Sequence, residues 1–438
     1  MKTAALICYG LLGLPLAMAA LPVYVQIPNY YTTQLGLPLA GTGLILFFAR
    51  LIDTIQDPFL GKVIDKIKSD NPYWLLASAL LLGAAFYGLW LPPNYIRQEE
   101  YRLLLWLGLM LILAYTAHSM LNIAYLTWGA GFKASMTATN SGKKNSSLLG
   151  PAAWREAFSL GGVILASIVP AWILQTPTVL RQDYLWQYSL GFGLILAFSV
   201  VTLIKASPRP ERHQLQAPIY LRQMLAAPNF RRLASVYFFN SLSVAIPATL
   251  LLFFINDQIR TPEKTGLYLA GYFIAGASGL PLWIQFAARY GTQFAWQVSM
   301  LLAVGSFIGA AFLGAGDSTA FLVVCIVSGL VLGADLALPP VLLAENVKEK
   351  NRLASYYGVW SLISKLSLAL AGLSLPLLHL LGFQSTSNIG SNTGSNLVPN
   401  SATNLIPDKP QLALIISYAL IPCLCKLIAF QLLRKSRS

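Results

Sequence analysis

Apolar residues recur in long runs from one end of the chain to the other, and charged residues, glycine or proline mark the gaps between runs. A helix needs roughly 20 apolar residues to cross the hydrocarbon core of a bilayer. The pattern predicts twelve membrane-spanning helices, at 3–27, 37–60, 73–91, 103–131, 150–174, 184–204, 232–256, 265–288, 293–314, 319–344, 355–381 and 411–433. The first is read as an uncleaved span, because its apolar run continues beyond Ala17-Met18-Ala19 to Val25.

Composition supports an all-α integral membrane protein. Of 438 residues, 56% are hydrophobic and only 11% are charged, whereas soluble domains average about 25% charged residues. This balance excludes a soluble enzyme, a disordered chain and a disulfide scaffold. The four cysteines lie in apolar runs, and the pair Cys423 and Cys425 lacks a zinc or redox spacing, so we expect no metal site and no disulfide.

Lysine and arginine concentrate in the even-numbered connections between spans and at both ends of the chain. Because cytoplasmic loops carry an excess of these residues, both termini are predicted to be cytoplasmic, in a multi-pass protein of the cell inner (plasma) membrane. The same bias accounts for the net charge of +14 without a nucleic-acid partner.

The basic connection 206–231 divides the chain into an N-terminal half, 1–205, and a C-terminal half, 232–438, with six predicted spans each. This arrangement of six plus six helices is typical of major facilitator transporters, and we expect a monomer. The segment 383–410 is rich in Ser, Asn, Gly and Thr. It is predicted to be a flexible external loop, a passive insertion rather than a substrate-gathering element.

Ionisable groups inside predicted spans are the main candidates for function, because each costs about 2.5–3.5 kcal/mol at a helix centre. In the second span, Asp53 and Asp57 follow Arg50 at spacings that place both carboxylates on one helix face. Two carboxylates one turn apart repel each other unless a cation or a proton lies between them, so the pair predicts a Na⁺ or H⁺ site. Alternatively, Arg50 neutralises one aspartate and the other lies in the cytoplasmic interface.

Two further polar groups lie in or near the fourth and fifth spans. His118, Ser119 and Asn122 offer a proton carrier and neutral ligands for a cation, or they form interhelical hydrogen bonds. Arg155 lies between Trp154 and Glu156, and it either forms a local ion pair or points inward. A guanidinium that points inward suits the recognition of a carboxylate or of several hydroxyls. The adjacent tryptophan can then stack on a sugar.

The second half contributes Asp335 and Lys365. Pro339-Pro340, just after Asp335, is expected to break or kink the tenth span. Lys365 is too deep in its span to reach the interface easily, and Asp53, Asp57 and Asp335 are its candidate partners.

These residues resemble the glycoside–pentoside–hexuronide:cation symporters, the melibiose permease family of the major facilitator superfamily. The likeness covers almost the whole chain, and the residues that carry it are Tyr9-Gly10, Ala49-Arg50-Leu51-Ile52-Asp53, Asp57-Pro58, Leu121-Asn122-Ile123, Arg155 and Lys365.

The resemblance implies residue roles. Asp53 and Asp57 would bind the coupling cation with help from Ser119, and Lys365 would lie near the cation and sugar sites. Arg155 would contact or support the sugar site.

The sequence departs from the melibiose-type pattern at two sugar-binding aspartates. Gly13-Leu14-Pro15-Leu16 in the first span contains no acid, and Asn122 takes the place of the fourth-span aspartate. These differences weaken the implication of a galactoside.

Together these features predict a secondary active transporter for the cation-coupled symport of a small organic solute, with a sugar or glycoside as the nearest guess. The candidate substrate-binding residues are His118, Asn122, Trp154, Arg155 and Asp335. A lysophospholipid or other amphiphile is the alternative cargo, favoured by the apolar Leu14-Pro15 and the neutral Asn122. The sequence contains no catalytic constellation that would favour an enzyme and no signalling domain that would favour a receptor. We expect no cofactor beyond the coupling cation.

Overall fold

The computed structural model describes residues 3–67, 70–131, 149–207, 221–347, 352–374, 378 and 409–435. These residues form helices and connecting turns, with no strand among them. In chain order the helices are α1 (Thr3–Gly10), α2 (Gly13–Asn29), α3 (Leu39–Ile67), α4 (Pro72–Trp90), α5 (Glu100–Ala130), α6 (Leu149–Gln175), α7 (Thr178–Ala206), α8 (Pro228–Phe253), α9 (Thr265–Tyr290), α10 (Thr292–Ala310), α11 (Ser318–Asn346), α12 (Leu353–Gly372), α13 (Lys409–Ile415) and α14 (Ile421–Arg434).

Short helical segments complete the described chain, at Tyr30–Gln34, Asn94–Arg97, Leu221–Ala226, Phe254–Ile259, Pro262–Lys264 and Ile416–Leu420. The helices overlap all the predicted spans: α1 and α2 share the first, and α13 and α14 share the last. Within the described part of the chain, nine helices are long and apolar enough to cross a membrane. Apart from its last two positions, the predicted loop 383–410 lies outside the described residues.

The contacts divide the chain into two compact units. The first comprises Met1–Ala226 together with Pro340–Leu362, and the second comprises Ala227–Pro339 together with Ile363–Ser438. In the first unit α2 packs against α6 and α3 packs against α5; in the second, α8 and α10 pack against α14.

Glycines set the distance between α2 and α6. A Cβ atom on Gly162 would lie 2.2 Å from the carbonyl oxygen of Leu14, so the two backbones are closer than any larger residue allows. Small residues at such crossings let helices in membranes approach and gain van der Waals contact. A Cβ atom on Gly13 would likewise lie 2.5 Å from the carbonyl oxygen of Arg155, so the first half of α6 also packs closely against the first span.

The first span consists of two helices with a short interruption between them. Helix α1 ends at Gly10 and α2 begins at Gly13. The hydroxyl of Tyr125 on α5 donates to the carbonyl oxygens of Tyr9 (2.8 Å) and Gly10 (3.1 Å). A distant tyrosine therefore satisfies carbonyl groups at the end of α1, which local sequence could not reveal.

The tenth span was expected to break or kink at Pro339-Pro340, and it does not break there. Helix α11 runs without interruption from Ser318 to Asn346. Ala337, Leu338 and Val341 around the prolines are all buried, so packing of this segment outweighs the local cost of two missing N–H donors, as tertiary context commonly does.

Asp65, at the end of α3, caps the start of α12 within the first unit. Its Oδ1 accepts a hydrogen bond from the backbone N–H of Ala354 (3.0 Å), and its Oδ2 accepts from the N–H of Ser355 (2.9 Å) and from the Ser355 hydroxyl. A carboxylate is favourable there because the first N–H groups of a helix lack partners within the helix.

Candidate functional site

The two aspartates of α3 are buried in the first unit. Asp53 is 4% exposed and Asp57 is fully buried. The Ser119 hydroxyl on α5 donates to Asp53 Oδ1 at 3.3 Å. The side-chain amide of Gln56 donates to the same oxygen at 3.2 Å. Donors from its own helix and from α5 therefore hold Asp53.

A second contact between α3 and α5 extends this group. The Thr116 hydroxyl donates to Gln56 Oε1 at 2.8 Å. Gln56 thus bridges Asp53 and α5, and it fixes the orientation of the carboxylate. We call this group the acid cluster; it comprises Asp53, Asp57, Ser119, Gln56 and Thr116. Its carboxylate, hydroxyl and amide oxygens are the ligands that hard cations prefer.

Sequence reasoning missed Gln56 and Thr116. Both carry a signal in retrospect: Gln56 follows Asp53 by three residues, and Thr116 precedes Ser119 by three, so each lies one turn away on the same helix. His118 and Asn122 are half-buried on α5, and Arg50 is exposed on α3.

Arg155 forms a local ion pair, the first of the two readings of its sequence. Its Nη2 and Nε atoms lie 2.6 Å and 2.9 Å from Glu156 Oε1, and both side chains are almost entirely buried. Glu156 is therefore the residue that neutralises Arg155 inside the first unit.

Two tyrosines lie at the break between α1 and α2. The rings of Tyr9 and Tyr125 are 4.6 Å apart, and the Tyr9 hydroxyl donates to the backbone carbonyl of Tyr125 at 3.1 Å. A Cβ atom on Gly129 would lie 2.1 Å from that hydroxyl, so the glycine makes room for it. The Tyr9-Gly10 pair of the sequence pattern thus has a packing role.

Trp154 lies beside the same break and is half-buried. A Cβ atom on Gly10 would lie 2.7 Å from the Trp154 backbone carbonyl carbon, so α1 contacts the start of α6 directly. The Trp154 ring is 6.3 Å from that of Phe158, which leaves it on the same helix face as an aromatic neighbour.

Asp335 belongs to the second unit, where its ionic partner is Lys426 rather than Lys365. Lys426 Nζ lies 2.5 Å from Asp335 Oδ2, and Trp296 Nε1 donates to Asp335 Oδ1 at 3.0 Å. Asp335 was one of three candidate partners of Lys365, with Asp53 and Asp57, and its lysine comes from α14 rather than from α12. Lys365 is half-buried on α12.

Sequence reasoning also missed Lys426, although a signal was present. It lies in the middle of the predicted span 411–433, and the same rule that singled out Lys365 applies to it. Among the described residues, no three His, Cys, Asp or Glu side chains form a group that could hold a metal ion.

Sequence comparison matches residues 6–435 to a family model described as MFS/sugar transport protein. Two curated relatives are symporters by name. The chain is 25% identical over 205 residues to "Uncharacterized symporter YnaJ" of Bacillus subtilis (strain 168), covering 44% of this chain and 41% of that protein. It is 22% identical over 267 residues to "Inner membrane symporter YicJ" of Escherichia coli (strain K12), covering 58% and 54%. The chain thus spans about half the length of these relatives.

Structural comparison supports the same fold over the whole chain. A crystal structure of a bacterial homologue of the iron transporter ferroportin, in an outward-facing state, superposes with a TM-score of 0.73 over 100% of both chains. The two sequences are 17% identical, so this likeness concerns the fold alone.

Proposed function

Because the chain belongs to the MFS/sugar transport protein family of membrane transporters, we propose that it couples the movement of Na⁺ or H⁺ to the symport of a small organic solute by alternating access. The proposed solute is a sugar or glycoside. Both curated relatives are named as symporters, which supports transport of the solute and the cation in the same direction.

The observation that carries the proposal is the acid cluster. Asp53 and Asp57 lie buried within one helix turn or so of each other, and Ser119 and Gln56 donate to Asp53. Carboxylates in a membrane span are costly, and repulsion between the pair falls when a cation or a proton binds between them. Cation binding at this point would therefore stabilise the native protein.

In the first unit, the proposed solute contacts are Arg155, Trp154, His118 and Asn122. The family description supports a sugar as the solute. A lysophospholipid or other amphiphile is the alternative outcome of a substrate screen.

The proposed location is the cell inner membrane, with the chain monomeric and both ends in the cytoplasm. The distribution of lysine and arginine supports this orientation. No nucleic-acid partner and no cofactor are proposed.

Cation coupling is tested by thermal unfolding of the purified full chain in detergent while NaCl replaces KCl at several pH values. A ligand that binds only the native state stabilises it by RT ln(1 + [L]/Kd). We expect Na⁺, or a fall in pH, to raise the melting temperature of the wild type. The rise should disappear in Asp57→Asn and Asp53→Asn.

Asp183→Asn is the matched control, because Asp183 is exposed on α7, away from the acid cluster. It should respond like the wild type. If Asp53→Asn, Asp57→Asn and the wild type respond identically to Na⁺ and to pH, the coupling role of the acid cluster is wrong. Binding of labelled lysolipid, with no response to any sugar, would replace the proposed solute.

A further inference from the structure

In the second unit, helices α8, α9, α10, α11 and α14 line a partly open cavity of about 270 Å³. Its walls are mainly apolar and aromatic, with Leu251, Phe273, Phe307, Val331 and Tyr418 among them. A dry apolar cavity of about 150 Å³ already binds benzene. This cavity is therefore large enough for an aromatic or branched apolar body with a small polar group attached.

One end of the cavity is charged. Asp335 and Lys426 both line it, and their side chains are only 7% and 5% exposed. Lys426 Nζ donates to Asp335 Oδ2 at 2.5 Å and to Asn240 Oδ1 at 2.8 Å. Three helices, α8, α11 and α14, thus meet at one ammonium group.

Stability does not account for this pair. Replacing a buried ion pair by apolar residues of similar volume is often neutral or stabilising, and charges inside membrane spans mark binding sites or transport paths by default. The pair also lies outside the acid cluster, which belongs to the first unit. The charged end of the cavity is therefore a candidate binding site.

The hydrogen bonds around the cavity favour an acceptor group on that ligand. The hydroxyls of Ser243 and Ser328 donate to backbone carbonyls, and the Tyr268 hydroxyl is bonded to Thr261. Within the described part of the chain, Lys426 has two acceptors for its three N–H donors. Tyr272 and Tyr418 add two hydroxyls, but the walls are mainly apolar, so a sugar would leave most of its hydroxyls without partners. A carboxylate can instead take the remaining ammonium donor in a strong charge-assisted bond.

We propose that the cavity between α8, α9, α10, α11 and α14 is a binding site for a small organic anion, a carboxylate on an apolar or aromatic body, with Lys426 as the residue that binds the carboxylate. Trp296 and Asn240 position the pair: Trp296 holds Asp335, and Asn240 holds Lys426. The site is separate from the cation coupling proposed above and does not depend on it.

The test uses benzoate as the probe, with benzamide as its neutral analogue and benzylamine as its cationic analogue. Binding is followed by the melting temperature of the full chain in detergent and by equilibrium binding of radiolabelled benzoate. Benzoate should stabilise the wild type, and the two analogues should not. The paired variant Asp335→Leu with Lys426→Met should bind benzoate at least about tenfold more weakly, while its apolar replacements keep the helices packed.

Two single variants test whether cavity volume matters and whether the loss of a lysine elsewhere has any effect. Ala303→Leu keeps both charges but fills part of the cavity, because Ala303 lines it and is buried; benzoate binding should weaken. Lys205→Met removes an exposed lysine on α7 and should leave binding unchanged.

Asp53→Asn should also retain benzoate binding, which separates this inference from the coupling proposal. The inference is overturned if benzoate does not stabilise the wild type, if benzamide binds as well as benzoate, or if the paired variant responds to benzoate like the wild type.

Discussion

Two buried charged side chains in this protein have partners far away in the sequence. Asp53 is held by Ser119, 66 residues later, and Lys426 bonds to Asp335 across 91 residues. In both cases the residue type was informative, since an ionisable group in an apolar span needs a partner. The residue type did not identify the partner, because any of several helices can supply it.

Tyr125 gives a stability prediction at the scale of one hydroxyl group. Tyr125→Phe removes the donor to the Tyr9 and Gly10 carbonyls and leaves these acceptors without that bond in a buried position. Such a loss costs about 1–3 kcal/mol, so the melting temperature of the purified protein should fall.

The control for Tyr125→Phe is Tyr95→Phe, because Tyr95 is 63% exposed and should tolerate the loss of its hydroxyl. Equal melting temperatures for Tyr125→Phe and the wild type would show that the hydroxyl does not stabilise the break between α1 and α2.

At the scale of helices, α2 and α6 form a closely packed pair. The sequence predicts both helices, since each is an apolar run of sufficient length. It does not predict that α1 and α2 are separate helices, or that Gly162 touches the Leu14 carbonyl. Close approach of two backbones depends on which faces meet, and helical periodicity alone leaves that choice open.

Two adjacent glycines of α6 test this contact. Gly162→Ala places a methyl group against the α2 backbone, and overpacking of this kind costs about 1–3 kcal/mol. Gly161→Ala adds a methyl group with no atom within 4 Å, so it should be neutral or slightly stabilising through better helix propensity.

The melting temperatures of the two alanine variants, measured side by side, check the prediction. If Gly162→Ala is as stable as Gly161→Ala, the close packing of α2 on α6 does not constrain the fold.

At the scale of the whole chain, the protein consists of two compact units with different polar interiors. The first unit contains the acid cluster and the Arg155–Glu156 pair, and the second contains the Asp335–Lys426 pair. Coupled transport requires that cation and solute binding influence each other through the same conformational equilibrium.

The reciprocity of that influence is a prediction for the whole molecule. Once a solute is found, the factor by which Na⁺ or H⁺ raises its affinity must equal the factor by which the solute raises the affinity for that cation. Paired binding titrations measure both factors. A solute whose affinity is identical with and without the cation would contradict coupling at the level of binding.

The sequence by itself determined the helical class, the approximate spans, and the position of Asp53 and Asp57 on one face of α3. These features depend on residues close together in the chain, through the bilayer thickness and the helical repeat.

Only the tertiary structure decided that Lys426 pairs with Asp335, that Gln56 and Thr116 join the acid cluster, that the first span is interrupted, and that α11 continues through Pro339-Pro340. Each of these depends on the packing of helices distant in sequence. A buried donor or acceptor bonds to whichever group the packing brings within reach, because leaving it unpaired is more costly than any local preference.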